Sequence, residues 1–327
     1  MKKVVTIGGG TGSFTLLSAI KNIENIEIKG LVAMTDDGGS TGQLRDELGV
    51  LPAGDVRQCL IALAEESMTL RKLMSYRFEE GSLSGHNFGN IFLAGLEKVA
   101  GDFNSAVEVL GHILKIKGEV IPVLDKKATL CLRKSDGTIL KGENQINHAD
   151  LGSDARKEVF IEGDVSISKR ASLSIENADY IFIGPGNQYC SILPALATKG
   201  TKEAFALSKA KIVYITNLTN KKGHSLHNKL SAYVREVEES IGKPFDYILW
   251  NSALVSSEQK EYYELSEGDG VLIENDMIGD SRIIEKDLLS LSINKQDKND
   301  KIADTRSFIR HDIEKLGKAV EEIVGSM

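Results

Sequence analysis

Apolar, β-branched runs recur along this 327-residue chain at residues 4–7, 26–34, 180–183, 211–216 and 245–250. Helical periodicity fills much of the space between them, at 56–64, 91–99, 106–114 and 226–237. Strands that are apolar almost without interruption have no solvent face, so both faces of their sheet must be covered. Alternation with helices supplies that cover and predicts an α/β fold: a doubly wound, mostly parallel sheet with helices on both faces. Segments 119–124, 128–133 and 138–141 differ, being short and alternating, with a Ser135-Asp136-Gly137 turn suited to an antiparallel hairpin. They predict a small inserted β element over about 119–164 of a single domain spanning 1–327. Within it, 143–164 reads as polar loop with a short strand at 159–161. Residues 295–301 form a charged connector, and 313–324 a closing amphipathic helix.

The first strand runs into Gly8-Gly9-Gly10-Thr11-Gly12-Ser13. Glycines let the backbone approach a phosphate, and a helix starting near Ser13 would direct unpaired N–H groups and its positive dipole end at it. A tight turn without a ligand is the plain alternative. No Lys-Ser/Thr pair follows Gly12, which removes the Walker A pattern and with it an NTPase. Counting from Gly8, the dinucleotide fingerprint of a Rossmann-like domain is met at Gly10 but ends on Ser13 in place of glycine. That mismatch, and the lack of an obvious His–Asp pair, count against an NAD-dependent dehydrogenase.

Composition bounds the partners. With 41% hydrophobic and 27% charged residues the chain can bury a large core, and a net charge of −7 without a long basic block argues against nucleic acid. No apolar run is long enough for a bilayer, and no signal-peptide core follows Met1-Lys2-Lys3, so a cytoplasmic protein without a membrane span is expected. Cys59, Cys131 and Cys190 are isolated, which suggests neither disulfides nor zinc.

Further candidates fall at strand ends and helix starts. Asp36 and Asp37, before Gly38-Gly39-Ser40, could hold a ribose hydroxyl through Asp36, share Mg²⁺ with phosphate oxygens, or form a solvated turn. Adjacent side chains on extended backbone point apart, so a shared ion requires the loop to curl. Asp55 reads as the N-cap of the next helix. Arg57, in the first turn of that helix, opposes the dipole unless an anion or carboxylate lies near it. His86, in Ser84-Gly85-His86-Asn87, could donate a proton but is better explained as a hydrogen-bonding scaffold, with Asn87 and Asn90 as caps. Gly184-Pro185-Gly186-Asn187 and Thr216-Asn217-Leu218 end two further strands, so these loops predict a glycine-rich crevice with few cations at the topological switch point.

Taken in order from residue 4 to 312, these segments resemble the bacterial gluconeogenesis-factor family, which is related to 2-phospho-L-lactate transferase. Gly8–Gly12, Asp36–Ser40, Leu44-Arg45-Asp46-Glu47-Leu48, Pro52–Arg57, Ser84–His86 with Gly89-Asn90, Ile183–Gly186 and Arg310-His311-Asp312 carry the resemblance. It implies a cytoplasmic regulator of carbon metabolism and cell-envelope or cell-shape maintenance that binds UDP-sugars such as UDP-N-acetylglucosamine. The transferase relatives imply an alternative: Mg²⁺-dependent transfer from a nucleoside-diphosphate donor to a deazaflavin. On this chain the resemblance places the diphosphate at Gly8–Gly12 and Gly184–Gly186, metal or sugar at Asp36 and Asp37, and the nucleotide beside Asn217. Arg310 becomes a phosphate or sugar partner and Tyr263 a stacking residue. It assigns no catalytic residue, leaves a homodimer open and names no downstream protein partner. Two segments depart from the relatives' pattern: Asn187-Gln188-Tyr189-Cys190-Ser191 replaces a Ser-Leu-Tyr-Thr-Ser run, and Lys221-Lys222-Gly223-His224 replaces a neutral-to-acidic turn.

Overall fold

The computed structural model describes residues 1–65, 68–152, 157–221, 223–224, 228–267, 272–291 and 309–325. The connector at 295–301, Lys222 and the start of the helix expected from 226 lie outside the described residues. Ten strands are present among those described: β1 (Lys2–Gly8), β2 (Ile26–Val32), β3 (Glu119–Pro122), β4 (Thr129–Arg133), β5 (Ile139–Lys141), β6 (Glu158–Glu162), β7 (Tyr180–Ile183), β8 (Lys211–Ile215), β9 (Tyr247–Asn251) and β10 (Ile283–Lys286). Seven form one sheet in the order β10-β9-β8-β7-β1-β2-β3, and every pairing in it is parallel. The chain winds outward from β1 through β2 and β3, then returns to its other edge with β7. The switch point is therefore between β1 and β7, where Ile7 pairs with Ile183.

Alternation along β1 and β7 explains the apolar runs. Val4, Tyr180 and Phe182 join a core with Leu16, Leu17 and Ile20 on one face. Val5, Ile7, Ile181 and Ile183 join Leu193, Leu196 and Tyr233 on the other. Each fully buried Leu or Ile contributes ~1.5–3 kcal/mol, so both layers are needed to hold the sheet.

Helix α1 (Gly10–Ile20) follows β1, starting three residues before Ser13. Then come α2 (Gly39–Leu48), α3 (Gly54–Leu63), α4 (Met68–Ser75), α5 (Phe88–Ala100) and α6 (Phe103–Leu114), before the chain re-enters the sheet. The final helix, Ile313–Gly325, packs closely on α1, where a Cβ at Gly317 would stand 2.7 Å from the Ala19 carbonyl oxygen.

Two expectations for the inserted element change. Residues 119–122 belong to the main sheet as its edge strand β3, in parallel register with β2 from Lys29↔Glu119 to Val32↔Pro122. Pro122 and the half-exposed Glu119 are edge-strand features, which is why the segment did not read as a buried strand. The antiparallel sheet is instead β5-β4-β6, with its hairpin turned at Gly137, φ +84°. Within the stretch read as loop stands a short helix, α7 (Glu143–His148). Only Ile146 of it is buried, so there was no apolar period to detect; the backbone N–H of Asn144 donates to Asp37 Oδ1 at 2.7 Å and anchors it. Among the described residues no helix is long and apolar enough to cross a membrane.

Candidate functional site

At the carboxyl ends of β1 and β7 two glycine loops press together. A Cβ on Gly12 would sit 1.9 Å from the Pro185 carbonyl oxygen, one on Gly9 2.3 Å from Asp55 Oδ2, and one on Gly8 2.7 Å from Ser13 Oγ. Three of the four glycines thus make room for the protein itself. Gly10 differs: its φ of +58° turns the chain from strand into helix, and its nearest neighbours would lie 3.7 Å or more from a Cβ. Opposite, Asn217 fastens Gly186 twice, its Oδ1 accepting from Gly186 N at 2.9 Å and its Nδ2 donating to Gly186 O at 2.6 Å. Asn217 acts on the Gly184–Gly186 loop through these bonds. Asn187 then caps the π-helical turn Gln188–Ile192, accepting from the N–H groups of Tyr189 and Cys190.

The β2 loop divides its two acids as extended backbone dictates. Asp37 turns to the first turn of α7, whereas Asp36 lines the central cavity, with Oδ1 accepting from Gly38 N at 2.9 Å. The carboxyl beside Asp36 is that of the half-buried Glu143 of α7, whose Oε2 accepts from Thr35 Oγ1. Burial first, then repulsion from Asp36, Asp55 and Asp37, pushes the Glu143 carboxyl well above its usual range. Burial likewise raises Asp36, against opposing hydrogen bonds from Gly38 and Thr41. Asp36 and Asp37 do not converge, and among the described residues no three His, Cys, Asp or Glu side chains are arranged to hold a metal ion. Of the two acids expected to share Mg²⁺, Asp36 is the one that lines the cavity.

Several residues expected to touch ligand hold the walls together. Asp55 lies within the first turn of α3, where Ala53 is the N-cap, and its carboxylate meets Gly9. Arg57, 8% exposed, donates from Nε to Asn90 Oδ1 at 2.8 Å and from Nη1 to the Met74 carbonyl at 3.1 Å. Two neutral oxygens are thus among the partners of this guanidinium. Asn90 Nδ2 reaches Thr41 Oγ1, Asn87 caps α5, and His86 Nδ1 meets Ser40 Oγ at 3.2 Å, the scaffold role. Tyr263 is 1% exposed, packed with Leu289 and Ile309, and its hydroxyl donates to the Asn220 carbonyl.

Together these walls enclose a cavity of about 320 Å³. Its lining includes Gly9, Gly10, Thr11, Gly12, Asp36, Asp55, Arg57, Asn90, Pro185, Gly186, Asn217, Tyr263 and Arg310. Gly8, Ser13, Asp37, His86 and Gly184 stand behind it as supports. Cations are more numerous than the loops suggested, since Arg57, Arg77, Lys221 and Arg310 all line it. Glu143, Asn147, His224 and Tyr233 are also in the lining and carry no sequence motif. Asn147 Oδ1 accepts from Lys221 Nζ at 2.6 Å and from Asn187 Nδ2 at 3.3 Å, so both unusual segments meet at α7.

A parallel, doubly wound α/β sheet with one mixed-charge cavity across its β1/β7 switch point defines a class of small-ligand-binding α/β protein. Known proteins narrow the class. The family model for 2-phospho-L-lactate transferase CofD matches residues 4–289. A gluconeogenesis-factor relative from Thermotoga maritima is 39% identical over 326 residues, covering 98% of this chain and 99% of its own. The gluconeogenesis factor of Bacillus subtilis is 34% identical over 80% of this chain and 83% of its own. A crystal structure of a UPF0052 family member from Bacillus halodurans superposes with a TM-score of 0.86 at 32% identity, covering 98% of each chain. The chain belongs to the CofD family, and its full-length relatives there are gluconeogenesis factors.

Proposed function

We propose that the cavity binds a nucleoside-diphosphate sugar, a UDP-sugar in the first instance, and that the bound state makes this chain a cytoplasmic regulator of carbon metabolism and cell-envelope or cell-shape maintenance. The observation that carries the reading is the cavity itself: polar, open at the switch point, bordered by two glycine loops and carrying Arg310 across from them. Its volume of about 320 Å³ lies within the ~300–1,000 Å³ of small-molecule sites. An arginine fork suits phosphate oxygens, and backbone N–H groups at Gly10–Gly12 suit a diphosphate without requiring a catalytic lysine.

A second reading, transfer from a nucleoside-diphosphate donor to a deazaflavin, is favoured by the family model and by Asp36 and Glu143, two carboxyls that line the cavity. Magnesium would then rest on Asp36 with diphosphate oxygens and water, the usual sparse protein ligation of that ion. Calorimetry with UDP-N-acetylglucosamine, guanosine diphosphate, deazaflavin and NAD, each with and without Mg²⁺, separates the two. UDP-sugar binding indifferent to Mg²⁺ supports the regulator, and Mg²⁺-dependent binding of the guanosine diphosphate and deazaflavin pair supports the transferase. Arg310→Ala should weaken UDP-sugar binding by about 1 kcal/mol or more through loss of a charge-assisted hydrogen bond. Binding of NAD alone, or an unchanged affinity in Arg310→Ala, refutes the assignment it addresses.

A further inference from the structure

Four side chains that line the cavity each end in a buried polar atom without a hydrogen-bond partner: Gln188 Oε1, His224 Nδ1, Tyr233 Oη and His311 Nε2. These residues are only 4%, 3%, 2% and 8% exposed, so bulk water does not serve them. Unsatisfied buried polar groups are costly and uncommon, and four around one cavity call for a cause.

Two of the four are acceptors by the bonds their other ends make. His224 Nε2 stands 3.0 Å from the Ile146 carbonyl oxygen, which can only accept, so Nε2 carries the proton. Burial, then the charge of Lys221, lowers this ring to about 4, leaving it neutral at pH 7 with a bare Nδ1 lone pair. His311 is likewise lowered to about 4 by burial, against an interaction with the Thr216 backbone that favours the charged ring. A neutral imidazole carries one N–H and one lone pair, and the unpartnered Nε2 of His311 holds one or the other. Gln188 donates through Nε2 to Glu236 at 3.0 Å, which leaves Oε1 as the second acceptor. Tyr233 Oη can donate or accept.

We infer that Gln188, His224, Tyr233 and His311 form an acceptor-rich recess of the cavity that is completed by the hydrogen-bond donors of the bound ligand. The inference rests on the nucleotide-sugar reading and deepens it. The glycine loops and Arg310 offer donors and positive charge to phosphate, whereas this wall offers lone pairs to hydroxyl or N–H groups. Sugar hydroxyls and the N–H edge of a nucleobase share that chemistry.

Tyr233→Phe is the decisive variant, because its hydroxyl has no partner to lose in the ligand-free protein. Tyr214→Phe is the control: that hydroxyl is also unpartnered, but Tyr214 does not line the cavity. Calorimetry is done with UDP and UDP-glucose, alongside thermal unfolding without ligand. Tyr233→Phe should unfold no earlier than wild type yet bind UDP-glucose about fivefold more weakly, the loss expected for one neutral hydrogen bond. Tyr214→Phe should bind as wild type does. Weaker UDP-glucose binding with unchanged UDP binding supports the recess and assigns it to sugar hydroxyls, and equal weakening of both supports it and assigns it to the nucleobase. Unchanged affinity in Tyr233→Phe while wild type binds overturns the recess alone. Failure of wild type to bind either nucleotide overturns the nucleotide-sugar reading and this inference with it.

Discussion

Replacing Gly12 with alanine tests whether the first glycine loop is shaped by its neighbour or by helix formation alone. Gly12 lies in the first turn of α1 without a positive φ, so local propensity predicts that alanine stabilises by ~1 kcal/mol. Tertiary packing reverses the sign. The new Cβ would stand 1.9 Å from Pro185 O and 2.6 Å from Pro185 C, where ordinary contact begins near 3.4 Å, leaving about 1.5 Å of overlap to relieve. Neither partner is a side chain that can swing away. Gly186, next in the chain, is fastened on both backbone groups by Asn217, so α1 and the Pro185 loop must separate. Overpacking costs ~1–3 kcal/mol and more where backbone must move; taking ~3 and subtracting the propensity gain leaves a net loss of at least ~2 kcal/mol. For a chain of this size that lowers Tm by ~3 °C or more, readable by calorimetry, with urea titration giving the free energy. Because the separation widens the glycine junction, affinity for the cavity's ligand should fall as well. A Gly12→Ala protein as stable as wild type, or more so, would refute the close approach of the two loops.

Arg57→Ala should destabilise by ~2–4 kcal/mol in denaturant titration, since it strands Asn90 Oδ1 and the Met74 carbonyl in a buried wall. Unchanged stability with weakened ligand binding would return Arg57 to the ligand. Glu236 gives a pH test. Burial raises its carboxyl to about 7, above the ~4.3 expected when unfolded. The folded state then holds the proton that the unfolded state has lost, so stability falls as pH rises from about 4.3 to about 7 and is level above that. Glu236→Gln should match wild type near pH 4 and exceed it at pH 8 by about 2 kcal/mol, the residue being only partly buried. Parallel pH–stability curves for the two proteins would show that Glu236 does not hold the proton.

Much of the architecture was legible because it is written in local patterns. The runs at 180–183 and 211–216 became β7 and β8 almost to the residue, since a strand covered on both faces must be apolar throughout. Edge and inserted elements were harder. Glu119–Pro122 is too short to show a period, and only its parallel register with β2 tells it from the hairpin strands that follow. Helix α7 has a single buried residue and is held by Asp37, from beyond its own segment.

The candidate site divides the same way. Its glycine loops and strand-end acids could be found because chain direction and side-chain alternation place them at one end of the sheet. Their partners could not. That Gly12 faces Pro185, that Glu143 comes near Asp36, and that Arg57 meets Asn90 are matters of distant segments brought together.

By itself the sequence determined a two-sided parallel sheet, its switch point and the loops that border it, because hydrophobic period and backbone freedom act over a few residues. Only the tertiary structure decided which side chains face the cavity and which brace it, and it left Gln188, His224, Tyr233 and His311 with bare polar atoms there. A hydrogen bond needs its partner within about 3 Å, and the folded path of the whole chain sets that distance.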